Sequence, residues 1–324
     1  VRLAVVIPCY RQERWLQRTV RALERGLEGQ EWEGVLVRAA QGGAALPRLG
    51  PRWRVIDPRF AEPLTPGAAR MLGLSATRAP WVLFCDADVE VEDGWLDSAL
   101  SRGEMDAGWA GVGGRLEEWF EDGARERSGV RDLYRFGESD REVPYLATLA
   151  LYRRDALLAA GGYEPRLASE EDYELGMRLR RGGRHLWYLG RLAGRHWSEP
   201  RPSWGELRRR WRTGLCFGQG QVLRLYLGRP GLTELLGRQK IYLAMLAGWL
   251  AGAVALVALP RSPAPLATWA AAALILVLGI TARKRSLRLG LFSLLTWQVN
   301  AAGLVRGFLR GPVRAPAPRA EQAP

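Results

Sequence analysis

The stretch VLFCDADVE (82–90) runs four apolar residues straight into two carboxylates, Asp86 and Asp88, one residue apart. Two hard oxygen ligands so spaced suit Mg2+ or Mn2+, which in turn neutralises a diphosphate. The competing reading is a cap on a helix near 93–100, for which Glu90, Glu92 and Asp93 are better placed. A second acidic pair, Glu171-Asp172, opens EEDYELGMRLRRGG (170–183), where acids in the first turn and arginines in the last both complement a helix dipole. His196, one of two histidines, lies in GRHWSEP (194–200) and reads equally as a ligand or as a structural imidazole. Tyr163 and Trp197 read as core residues by default.

Alternating strands and helices must position these groups. LAVVIP (3–8), VLV (35–37), WRVI (53–56) and WVLFC (81–85) read as buried strands. Residues 12–27 and 66–79 read as the helices between them, the second started by Pro66. This order predicts an α/β fold with a mostly parallel sheet covered on both faces. Ligands in such sheets bind beyond the carboxyl ends of the strands, where Asp86 and Asp88 lie. Downstream, WAGVGGRLEEW (109–119) reads as a strand and 121–142 as a mobile charged loop. A strand (145–154), two helices (155–162 and 170–183) and a strand (185–190) follow.

Three segments in this order resemble the family 2 glycosyltransferases of the GT-A fold. VVIPCYRQERWL (5–16) is similar to the family's opening strand and donor loop. GAARMLGLSATRAPWVLFCDAD (67–88) is similar to its helix, strand and D-x-D motif. LYRRDALLAAGGYEPRLASEEDYELGMRLRRGG (151–183) is similar to its acceptor-side segment and E-D motif. The likeness covers roughly residues 3–197 and implies a metal-dependent, inverting transfer from a nucleotide-diphosphate sugar. It implies that Pro8, Tyr10 and Glu13 line the nucleoside pocket, that Arg70 faces the donor phosphates, and that Asp86 and Asp88 hold the donor ribose and the metal. His196 would stand near that metal, and the catalytic base would come from Glu171-Asp172, with Asp172 preferred. Two departures stand out. VLVRAAQGG (35–43) lacks the acid that usually contacts the base, which leaves the donor nucleotide open. LRRRW (207–211) has Leu207 where processive synthases carry Gln or Arg, which favours transfer of a single sugar.

The formal charge of +13 suggests nucleic acid or a membrane surface. Its placement decides between them. Residues 1–200 carry 29 Lys+Arg against 31 Asp+Glu, a net of −2, and the remaining 18 against 3 give +15 beyond residue 200. That basic part also holds the longest apolar runs, so the reading is membrane and not nucleic acid. Residues 201–238 suggest a basic amphipathic interfacial helix region. Within 239–311, the segments 241–259 and 266–282 read as spans, with RKRSLR (283–288) on the cytoplasmic side. A third stretch, 289–305, either spans or lies in the interface, and charge placement favours the interface. The Pro/Ala tail, 312–324, suggests disorder.

The expected protein is therefore a GT-A domain over 1–200 on the cytoplasmic side of the inner or plasma membrane, attached by multi-pass helices. Its partners would be a nucleotide-diphosphate sugar, the bilayer, and a lipid or lipid-linked glycan acceptor. The alternative is a catalytically silent GT-A domain acting as a membrane scaffold. Cys9, Cys85 and Cys216 have neither disulfide nor zinc spacing, in keeping with a reducing compartment, and no signal-like segment precedes the first strand.

Overall fold

The computed structural model describes residues 1–40, 44–58, 64–122, 125–200 and 203–314. The tail from 315, and residues 41–43 of the second strand's loop, lie outside the described residues. The chain divides into two compact units, Val1–Arg201 with Val313–Pro324, and Pro202–Pro312.

The first unit is built on β1 (Leu3–Cys9), α1 (Glu13–Gly26), β2 (Trp32–Arg38), β3 (Trp53–Ile56), α2 (Pro66–Ser75), β4 (Trp81–Cys85), β5 (Val89–Val91) and α3 (Trp95–Glu104). It continues with β6 (Trp109–Asp122), β7 (Arg125–Ser128), β8 (Arg141–Glu142), β9 (Leu149–Arg153), α4 (Arg154–Ala159), α5 (Glu171–Arg181) and β10 (His185–Ser198). The sheet order is β3-β2-β1-β4-β9-β6-β10-β5, with β7 on β6 and β8 on β10. The β3-β2-β1-β4 half is parallel, as the βαβ pattern requires. Beyond it β9 runs antiparallel to β4 and β6, so the sheet is mixed. All residues of β1 and β4 are buried, the signature of strands covered on both faces. One core face gathers Leu3, Val5 and Ile7 with Leu16, Leu23 and Trp95, and the other gathers Ala4 and Val6 with Phe84, Tyr152 and Leu175.

Two expectations are corrected. The charged segment 121–142 is not a free loop. Its first part is the β6–β7 hairpin, registered from Trp119↔Ser128 to Asp122↔Arg125. Beyond it, Asp132 accepts from the amides of Arg135 and Gly137 at 2.8 and 2.7 Å. The last strand does not stop at 190. β10 continues to Ser198 because Arg195–Ser198 pairs with Glu117–Phe120 of β6, so His196 stands within a strand.

The second unit comprises α6 (Ser203–Arg212), α7 (Gly218–Leu225), α8 (Leu232–Arg238), α9 (Lys240–Ala258), α10 (Ala264–Lys284) and α11 (Leu287–Arg310). Where a single interfacial helix region was expected, three short helices stand. Gly214, Gly228 and Gly231 separate them with φ of +79°, +71° and +104°, values that L side chains rarely adopt. α9 and α10 are long and apolar enough to cross a membrane, with 11% and 0% of their apolar windows buried. A buried hairpin of a soluble core would not leave them so bare. α11 falls short of the same test among the described residues. It packs closely on α7, where a Cβ on Gly307 would meet the Phe217 carbonyl oxygen at 2.0 Å.

Candidate functional site

The chain leaves β4 at Cys85 and turns at once, with the Val89 amide donating to the Asp86 carbonyl at 3.2 Å. Strand alternation therefore does not extend to the two acids, and they face different partners. The turn is held from several sides. The Asp86 amide donates to the Thr148 carbonyl at 2.9 Å and the Trp197 amide to the Asp88 carbonyl at 2.7 Å. The Thr19 hydroxyl donates to the Ala87 carbonyl at 2.9 Å.

Asp86 belongs to a buried charge cluster. Arg70 Nη2 donates to Asp86 Oδ1 at 3.0 Å, and Arg70 Nη1 donates to Glu171 Oε1 at 2.7 Å. Asp172 Oδ1 lies 3.5 Å from the same Nη1 as an ion pair, with no hydrogen-bond partner among the described residues. Close approach of three segments makes this possible. α2 starts with Thr65 capping the Ala68 amide and Pro66 in its first turn. Gly67 then meets the 164 loop, where a Cβ would stand 2.5 Å from the Glu164 carbonyl oxygen. On α5, a Cβ on Gly176 would stand 2.4 Å from the Pro144 carbonyl oxygen. The Arg70 guanidinium also lies 5.1 Å from the Tyr163 ring centroid.

Arg70 is buried, so its two terminal nitrogens are spent on carboxylates rather than on open space for donor phosphates. That differs from the expectation for this residue. Burial alone would lower its pKa, but Asp172 and Asp86 raise it well above the ordinary value. Burial pushes the Asp172 carboxyl well above the usual range, with Arg70 opposing and Glu171 and Asp86 adding to the rise. Glu171 is raised for the same first reason, again against Arg70.

Asp88 faces the other way. Gln12 Nε2 donates to Asp88 Oδ2 at 3.0 Å, and His196 Nε2 lies 3.6 Å from that oxygen. Asp88 Oδ1 and His196 Nδ1 are buried without partners among the described residues. Burial raises the Asp88 carboxyl, and His196 opposes that rise. No three His, Cys, Asp or Glu side chains gather as a metal set among the described residues, so Asp86, Asp88 and His196 do not form one triad. Asp88 and His196 alone still fit a Mg2+ or Mn2+ ion of the kind that keeps water and substrate phosphate as most of its shell. The unsatisfied Asp88 oxygen is the observation that favours this fit.

Residues expected to line the nucleoside pocket lie along β1 and the loop after it. Pro8 is buried in β1 and Tyr10 is 41% exposed. Glu13 is buried, 3.7 Å from Arg38 Nη2. Arg38 ends β2 and pairs with Asp57, the residue after β3, at 3.3 Å. An acid thus stands beside the end of β2 although 35–43 contains none. Sequence reasoning missed Asp57 and Gln12. The parallel β2–β3 register, which puts Val37 opposite Ile56, was the available signal for Asp57. Nothing local marks Gln12. Tyr163 and Trp197 are core residues, each 2% exposed. Cys9 and Cys85 are buried thiols pushed up by burial, Cys9 to about 12, and so are not nucleophiles.

Residues 4–158 match the family model of Glycosyl transferase family 2. Glu171-Asp172 lies beyond that match. Among curated proteins, none matches the chain. Among solved structures, the chain is similar to S. aureus TarS 1–349 in complex with UDP-GlcNAc, at 18% identity and a TM-score of 0.48, covering 62% of this chain and 59% of that one. It is also similar to GalNAc-T7 with UDP, GalNAc and Mn2+, at 14% identity and a TM-score of 0.45, covering 61% and 44%. This chain thus spans less than two thirds of the length of either. Residues 4–158, a little under half of the chain, are thus similar to Glycosyl transferase family 2, and they lie on a mixed α/β sheet.

Proposed function

We propose that this chain is an inverting glycosyltransferase that moves one sugar from a nucleotide-diphosphate sugar to a membrane-associated acceptor, a lipid or lipid-linked glycan. The observation that carries the reading is Asp172 Oδ1, a buried carboxylate oxygen without a hydrogen-bond partner among the described residues, in one ion-pair cluster with Asp86 through Arg70. In this reading Asp172 accepts the proton of the acceptor hydroxyl while that oxygen bonds to the anomeric carbon. The bond from that carbon to the diphosphate breaks, and its electron pair leaves with the diphosphate. Arg70 opposes the burial that raises Asp172 and holds it near Asp86. Asp88 and His196 would hold a Mg2+ or Mn2+ ion, which when bound supplies charge neutralisation to the leaving diphosphate.

Pro8, Tyr10 and Glu13 line the nucleoside side, and the Arg38–Asp57 pair reads the base. That pair sets an acid beside the end of β2, which speaks against a catalytically silent scaffold. Residues 1–200 form the catalytic domain, and 201–238 and 239–311 attach it to the bilayer. The exposed apolar lengths of α9 and α10 support that attachment. A cytoplasmic catalytic face follows from the basic loop after α10.

The test is a screen of nucleotide sugars with the full chain in detergent, with a membrane extract as acceptor and with or without Mn2+. Asp172→Asn is expected to lose about a hundredfold or more in transfer while still binding nucleotide. Asp88→Ala is expected to abolish metal-dependent transfer without unfolding the protein. Transfer that survives both substitutions would sink the mechanism.

A further inference from the structure

Thr148 stands just before β9 at a φ of +63°. For a β-branched residue this is a genuine outlier, because Cβ crowds the backbone. The Leu149 amide donates to the Ala147 carbonyl at 2.6 Å, which closes a three-residue γ-turn around it. The left-handed form of that turn is rare and strained. Two contacts hold it in place, and two ring contacts extend from the second. Its carbonyl accepts the Asp86 amide at 2.9 Å. Its hydroxyl is paired with that of Tyr134. Tyr134 packs on the Tyr145 ring at 6.2 Å, and Tyr145 packs on Tyr173 at 5.7 Å, one residue past Asp172. The turn falls where the β4–β9 ladder ends, at Cys85↔Leu149. An extended residue at 148 would carry the ladder on and re-aim Asp86.

Strain recurs beside the other segments of the site. Arg11, next to Gln12, has a φ of +60°, and Glu170, next to Glu171, has +72°. Such conformations persist only where the surroundings over-determine them.

We propose that Thr148 is a positioning residue for the glycosyl transfer. Its strained turn sets Asp86 and, through Arg70, the separation between the leaving-group end of the site and Asp172. This rests on the transferase reading of the same site. Thr148 itself touches no reacting atom. The hydroxyl pair with Tyr134 keeps the turn from relaxing, and the ring contacts tie it to α5.

The experiment measures Tm, kcat and donor KM for the full chain and three variants. Thr148→Gly keeps the carbonyl acceptor but removes the Cβ conflict and the hydroxyl pair. It is expected to hold or raise Tm while kcat falls about tenfold or more, with donor KM nearly unchanged, because geometry and not donor contact is lost. Thr148→Ser keeps the hydroxyl and is expected to retain kcat within about threefold, which is the conservative rescue. Tyr134→Phe removes only the pairing and is expected to lower kcat with little change in Tm, which keeps the proposal testable should Thr148→Gly fail to fold. A purely structural residue would move Tm and activity together, and that result, or unchanged kcat in Thr148→Gly or Tyr134→Phe, overturns the positioning role. Wild-type protein that turns over no nucleotide sugar would instead overturn the transferase reading and this inference with it.

Discussion

Replacing Arg70 by Met tests the charge cluster most directly. Arg70 meets Glu171 at 2.7 Å with side-chain exposures of 4% and 7%, so this pair is desolvated on both sides. Asp86, at 3.0 Å, is 23% exposed and contributes less. Stranding one buried partner costs about 3–5 kcal/mol, and a partly solvated pair adds less than about 1 kcal/mol. For a domain of this size each kcal/mol shifts Tm by roughly 2–4 °C, so a fall of roughly 6–24 °C is expected. The loss has a pH signature. Burial already holds the folded pKa values of Glu171 and Asp172 above their unfolded ones, and removing Arg70 raises them further. The folded state then binds more protons than the unfolded state between those values, so stability falls as pH rises through that window. Differential scanning of wild type and Arg70→Met at pH 5 and pH 8 reads this out. The deficit is expected to be larger at pH 8. An equal deficit at both pH values, or none, would refute the claim that Arg70 offsets buried carboxylates.

The raised Asp172 carboxyl predicts that the acid limb of kcat/KM lies well above the ordinary aspartate range, with activity rising as pH climbs through it, and a pH profile of initial rates checks this. Asp57→Asn is expected to weaken nucleotide binding and broaden base preference while Tm stays within about 2 °C, as measured by calorimetric titration with UDP, GDP, ADP and CDP; unchanged selectivity would remove Asp57 from the base site. Gly67→Val puts a branched side chain where even a Cβ would stand 2.5 Å from the Glu164 carbonyl oxygen. It should displace α2 with Arg70 and lower Tm by several degrees, whereas a variant as stable as wild type would show that this close approach is dispensable.

Much of the N-terminal unit is legible in the amino-acid sequence. The wholly apolar runs at 3–8 and 81–85 read as strands covered on both faces, and they are. The segments that resisted reading depend on distant partners. Residues 121–142 look like a loop because they are charged, and the four residues of β7 are all exposed, so no apolar alternation marks a strand. The part up to Ser128 pairs as a hairpin because β6 offers an edge, and Trp15, Arg14 and Arg18 of α1 offer partners to Glu121. The extension of β10 to Ser198 is likewise a property of β6, not of its own sequence. In the second unit, hydropathy marked α9 and α10 but could not tell that 201–238 breaks into three helices, since glycine weakens a helix without dictating where it ends.

What the amino-acid sequence determined by itself was the inventory: a D-x-D after a buried strand, an acidic pair opening a helix, an arginine on α2, and a basic apolar tail. Spacing along the chain reports only local geometry, so it suggested that Asp86 and Asp88 act side by side, and the family resemblance implied that Arg70 meets phosphate. Tertiary structure decided otherwise. A turn after Cys85 splits the two acids between different neighbours, and the close approach of α2 to α5 delivers Arg70 to carboxylates. It also brought Asp57 beside Arg38 and left Asp172 with an unsatisfied oxygen. Charges act through space and desolvation, and both are set by which segments pack together.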